Sequence, residues 1–123
     1  MDADRARATF DALKKLLGPY AKKMTVVHDT PKRYYLDTDH IMTNGKPLFF
    51  GSVGIRKRYI SYHLMPVYVE PKLLCDLSTP LNKRMQGKSC FNFTSVDVGL
   101  FAELAELTQR GFALYADRGY VES

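Results

Sequence analysis

The stretch PLFFGSVGIRKRYISYHLMPV, Pro47 to Val67, constrains the fold more than any other part of the chain. It holds two runs rich in β-branched and aromatic residues around a charged reversal at Arg56-Lys57-Arg58. Strands joined by so short a connection lie side by side and antiparallel. Side chains alternate between the two faces of a strand. That puts Phe49, Gly51, Val53 and Ile55 on one face of the first strand, opposite Phe50, Ser52, Gly54 and Arg56. In the second strand Ile60, Tyr62 and Leu64 oppose Tyr59, Ser61, His63 and Met65. Each strand therefore has an apolar face for a core and a mixed face.

The rest of the chain supplies what covers the apolar face. Asp2 is placed to cap a helix that carries Ala6, Phe10, Leu13, Leu17 and Tyr20 on one stripe, at the three- and four-residue steps of an α-helix. Gly18-Pro19 ends it. MTVVHD and RYYLD read as strands separated by the turn-like TPK. Asn44-Gly45 marks a hairpin, because both residues tolerate positive φ. EPKLLCDLSTPLNKRMQ reads as a broken helix, with Ser78 as the N-cap of its second piece and Pro80 in the first turn. KSCFNFT is a further strand, with Phe91 and Phe93 opposite Lys88, Cys90 and Asn92. A last helix runs from about Asp97 to about Arg118, with Val98, Phe101, Leu104, Ala105, Thr108, Phe112 and Tyr115 as its buried stripe.

We therefore expect an α+β fold: a single antiparallel sheet of about five strands, with the N- and C-terminal helices packed on one face and the broken helix before the last strand. A length of 123 residues fits one domain, 1–123, that can bury most of its apolar surface without staples. Fifteen aromatic side chains, eight Tyr and seven Phe, fill that core without Trp.

The mixed faces, laid side by side, collect Ser52, Arg56, Tyr59, Ser61, His63, Lys88, Cys90 and Asn92, and Gly51 and Gly54 leave room above the sheet. A formal charge of +5 favours anionic partners without naming one. The candidate ligand-binding residues are Arg56, Tyr59, Ser61, His63, Arg84, Lys88, Cys90 and Asn92. The two cysteines, Cys75 and Cys90, lack metal or redox spacing and read as reduced, buried thiols. His28, His40 and His63 lack ligand spacing, so no metal site, catalytic residue or cofactor is assigned. An enzyme would have to be built around His63, with Tyr59 or Cys90 beside it. No apolar run approaches a membrane span. The opening MDADRARATF lacks the apolar core of a signal peptide, so a cytoplasmic location is expected.

NKRMQGKSCFNF, Asn82 to Phe93, contains Gly-Lys-Ser, the end of a phosphate-binding loop. That loop needs a glycine at position 82, where Asn stands, and it leads from a strand into a helix. Here Leu77, Leu81 and Met85 recur at helical steps before Gly87, and Phe91 and Phe93 at strand steps after it. Gly87 is thus expected to cap a helix and Lys88 to begin a strand, leaving Ser89 without a phosphate-binding role. Arg56-Lys57-Arg58 with Tyr59 and Tyr62 mixes basic and aromatic residues as single-stranded nucleic-acid sites do, but lacks the aromatic alternation and glycine of an RNA-recognition strand. A solvated hairpin tip is the simpler reading, and nucleic acid is not expected as a partner.

At LFFGSVGIRKRYISYHLMPVY, LNKRMQGKSCFNF and LAELTQRGFALY the sequence resembles the YdhG-like family of small bacterial domains of unknown function, over roughly residues 36–115. The resemblance implies an antiparallel sheet with packed helices and no established catalytic residues. Some relatives are described as frataxin-like iron chaperones, which would use an acidic patch on the first helix. Here Asp2, Asp4 and Asp11 alternate with Arg5, Arg7, Lys14 and Lys15, and no tight ferrous site is expected. The leading expectation is a non-enzymatic binding module for a small anionic ligand or a protein partner on the mixed sheet face. The alternatives are a frataxin-like iron-handling protein and a His-dependent enzyme.

Overall fold

A computed structural model describes residues 2–122. Helix α1 spans Ala3–Leu17, and Asp2 caps it by accepting the Arg5 N–H at 2.7 Å. A 3₁₀ segment, Gly18–Lys23, leads into β1 (Thr25–Thr30), β2 (Arg33–Ile41), β3 (Pro47–Ile55) and β4 (Ile60–Leu64). Next come the short helices α2 (Pro66–Val69) and α3 (Thr79–Asn82), the strands β5 (Met85–Gln86) and β6 (Cys90–Phe93), and helix α4 (Val98–Asp117). The six strands form one antiparallel sheet in the order β1-β2-β3-β4-β6-β5.

The α+β arrangement follows from matched periodicities. Phe10, Leu13 and Leu17 of α1 and Phe101, Leu104, Leu107 and Tyr115 of α4 meet Phe50, Val53, Ile60, Tyr62, Leu64, Phe91 and Phe93 of the sheet in one core. Phe101 packs edge-on to Phe93 with ring centroids 4.8 Å apart. The Tyr62 hydroxyl is buried and lies 2.6 Å from Thr108 Oγ1, which satisfies the one polar atom that this strand sends into the core. Ser78 caps α3 by accepting the Leu81 N–H, and its own hydroxyl donates to Glu103 of α4. The broken segment is thereby held against the C-terminal helix.

The structure corrects the sequence reading in several places. There are six strands, not about five, because Met85 and Gln86 pair with Phe91 and Cys90. Gly87 does not cap a helix. Helix α3 ends at Asn82, and Gly87, at φ +74°, turns the β5–β6 hairpin instead. The Asn92 N–H donates to the Arg84 carbonyl, so these residues gain a strand partner where a continued helix would leave the β6 edge unpaired. Lys88 lies in that turn and Cys90 is the first residue of the strand. Val98 is not in the buried stripe of α4: it is 80% exposed, and Leu107 and Gly111 are buried there instead.

The largest correction concerns β3. Leu36 of β2 pairs with Gly51 and Asp37 pairs with Phe49, so Phe50 is an extra residue. This bulge exchanges the faces on either side of it. Leu48 and Phe50 point into the core before it, and Val53 does so after it. Phe49, expected in the core, lies on the other face. Gly51 belongs to the core side, where a Cβ would come within 2.9 Å of Leu17. Its missing side chain makes room for α1 and none for a ligand.

Candidate functional site

The face of the sheet away from the helices is ordered by strand pairing into two rows across β2, β3, β4 and β6. One row runs Arg33, Gly54, Ser61, Asn92, and the next runs Tyr35, Ser52, His63, Cys90. Gly54 opens the first row, since a Cβ there would meet only the Arg56 side chain, at 3.8 Å. A hollow of about 350 Å³ lies above the rows, lined by Arg33, Tyr35, Ser52, Ser61, His63 and Cys90 together with Lys32 and Arg56 from the strand ends.

Lys32, Arg33 and Arg56 bring three cations to this hollow, and no Asp or Glu lines it. Among the described residues none of the three has a carboxylate partner. The Arg33 guanidinium lies 5.0 Å from the Tyr35 ring centroid. Tyr35 stacks on Phe49 at 4.6 Å, and Phe49 meets the His63 ring edge-on at 4.8 Å. The bulge at Phe50 thus supplies the aromatic wall that holds His63. Asp37 sits beside Tyr35, outside the hollow, and burial raises its carboxyl above the ordinary range.

His63 is half-buried, and its Nε2 lies 2.7 Å from Ser89 Oγ. Burial first, and then the positive charge of Arg56, hold its pKa below the usual histidine value. At neutral pH the ring is uncharged, with one N–H to donate. A Ser–His contact has the two members of a nucleophile–base dyad. A triad would add a carboxylate on Nδ1, and Nδ1 has no protein partner among the described residues. Ser89 is buried and does not line the hollow. The bond therefore orients the imidazole.

The eight expected site residues fall into three places. Arg56, Ser61, His63 and Cys90 share the cationic hollow. Tyr59, Arg84 and Asn92 line a second, neighbouring hollow with Arg58, Lys83 and Gln86. Lys88 lies in neither, 6.0 Å from the Tyr68 ring centroid. Lys32, Arg33, Tyr35 and Phe49 are additions that the sequence reading missed. The alternation in RYYLD carries the signal for Arg33 and Tyr35, while Phe49 is hidden by the bulge. Both cysteines are free, with Cys75 exposed and Cys90 half-buried, so neither is the fully buried thiol expected. Among the described residues no three His, Cys, Asp or Glu side chains converge where a metal ion could sit. No described helix is long and apolar enough to cross a membrane. No family model matches the chain, and neither a curated protein nor a solved structure does.

Proposed function

We propose that this chain is a non-enzymatic binding module whose outer sheet face holds a small anionic ligand in the hollow between Arg33, Arg56 and His63. One observation carries the reading: three cations without carboxylate partners surround a hollow floored by Ser52, Gly54 and Ser61. An oxyanion there would receive charge-assisted hydrogen bonds from the two guanidinium groups. The hydroxyls and the neutral imidazole would fix its orientation. The floor belongs to paired strands, so the donors are positioned before the ligand arrives.

Phosphate titration followed by calorimetry and by the His63 ring signals tests this. Saturable binding is expected, weakened about ten- to a hundredfold in Arg56→Ala, in line with the loss of one or two charge-assisted hydrogen bonds. Lys46→Ala, at the distant β2–β3 turn, should bind as the parent does. Equal phosphate affinity in the parent and Arg56→Ala would sink the proposal.

A further inference from the structure

Resting on that reading, we infer that the ligand carries two anionic groups, one in the cationic hollow and one in the neighbouring hollow around Arg58, Lys83 and Arg84. The two hollows meet along two cross-strand pairs, Cys90 with Gln86 and Ser61 with Asn92. Ser61 lines the first, its partner Asn92 lines the second, and their Cα atoms are directly opposed. The second hollow repeats the chemistry of the first: three cations, an aromatic side chain in Tyr59, and no Asp or Glu in its lining. Among the described residues Arg58, Lys83 and Arg84 have no carboxylate partner. Self-repulsion among so many cations on one face is relieved by a bound polyanion.

Asn92 stands at the junction. Its Nδ2 donates to Gln86 Oε1 at 2.6 Å, while its Oδ1 is buried without a hydrogen-bond partner. Turning the amide over exchanges the two atoms and still leaves one polar atom unmatched. Buried polar atoms are rarely left so. A ligand passing from one hollow to the other crosses this point. Strand spacing sets the reach. From the centre of the first hollow over β3 and β4 to the β5–β6 edge is about two interstrand steps, roughly 10 Å. That separation suits two phosphates joined by a linker of about six carbons and exceeds the reach of a pyrophosphate.

The test compares hexane-1,6-diyl bisphosphate with hexyl phosphate on the parent chain, Arg56→Ala and Arg84→Ala, with thermal melts showing that each variant is folded. The bisphosphate should bind at least tenfold more tightly than the monophosphate. Arg84→Ala should abolish that advantage, whereas Arg56→Ala should weaken the binding of both compounds. Binding of hexyl phosphate that depends on Arg56, with no gain from the second phosphate, overturns the inference and leaves the anion site standing. Failure of both compounds to bind removes the anion site and the inference together. A ten-nucleotide single strand that binds more tightly than the bisphosphate, with a steep salt dependence, would overturn the inference in favour of nucleic acid.

Discussion

The two faces of the sheet are made from the same strands, one residue apart, and differ in almost every physical respect. On the inner face Val53, Ile60, Tyr62, Leu64 and Phe91 are sealed from solvent under α1 and α4. Their polar exception, the Tyr62 hydroxyl, has a partner in Thr108. On the outer face Ser52, His63, Cys90 and Asn92 stay partly exposed, the neighbouring cations lack carboxylates, and Asn92 keeps an unmatched polar atom. An interior is stable when every polar group is paired. A binding surface needs groups left over for a ligand. Because alternation separates the two tasks, a single substitution should touch one of them and spare the other.

The sharpest way to break this comparison is at the bulge, where two adjacent phenylalanines point to opposite faces. Phe50→Ala should destabilise the fold by about 3–5 kcal/mol, the cost of emptying a fully buried aromatic site. Phe49→Ala should cost clearly less and should instead disturb the His63 ring signals, since Phe49 packs on that ring. Denaturant unfolding of the two variants decides it. Equal losses would mean that the bulge is not where the structure places it.

A smaller effect separates the two central glycines of β3. In Gly51→Ala the new methyl would lie 2.9 Å from Leu17 Cδ2 and 3.2 Å from the His63 carbonyl, so the packed Leu17 side chain must give way, at about 1–3 kcal/mol. In Gly54→Ala the methyl meets only the Arg56 side chain at 3.8 Å, and stability should change little. Thermal melts that rank the two variants the other way round would reverse the assignment of faces.

The smallest effect is electrostatic. The folded His63 pKa lies below its unfolded value because burial, aided by Arg56, disfavours the imidazolium. The unfolded chain therefore binds more protons in the window between those two values, and stability must fall there as pH falls. Above the ordinary histidine pKa near 6.5 this contribution is complete and flat. The difference in melting temperature between the parent and His63→Asn should shrink on acidification through that window. A difference independent of pH from 5 to 8 would mean that His63 is not held neutral by the fold.

How far these faces could be read from the chain varies by element. β4 and β6 were legible because Ile60, Tyr62 and Leu64, and then Phe91 and Phe93, alternate without interruption. The helix stripes were legible for a similar reason, although Val98 satisfies the spacing and still lies beyond the edge of the packed layer. β3 was legible only beyond the bulge: Phe49 and Phe50 are the same residue type, and nothing local tells which of the two faces inward. Of the candidate site, Ser61, His63 and Cys90 followed from alternation alone. Their grouping with Lys32 and Arg33 depends on how β2 registers against β3.

What the amino-acid sequence determined by itself is therefore local and periodic. It set most of the elements, the antiparallel order of β3 and β4, the caps at Asp2 and Ser78, and the rejection of a phosphate-binding loop at Gly-Lys-Ser. Each of these depends on residues within a few positions of one another, whose steric and hydrogen-bonding preferences act before any tertiary contact exists. The tertiary structure alone decided that Met85 and Gln86 would pair with β6 and not extend α3. Leu77, Leu81 and Met85 fit a helix, but a short helix carries few of its own hydrogen bonds, and an open strand edge offers partners that a propensity scale does not see. It also decided the bulge at Phe50, because only the approach of Leu17 over Gly51 makes one phenylalanine the better filler of the core. The cationic hollow arose the same way, from residues on β2, β3, β4 and β6 that meet only when the register is set.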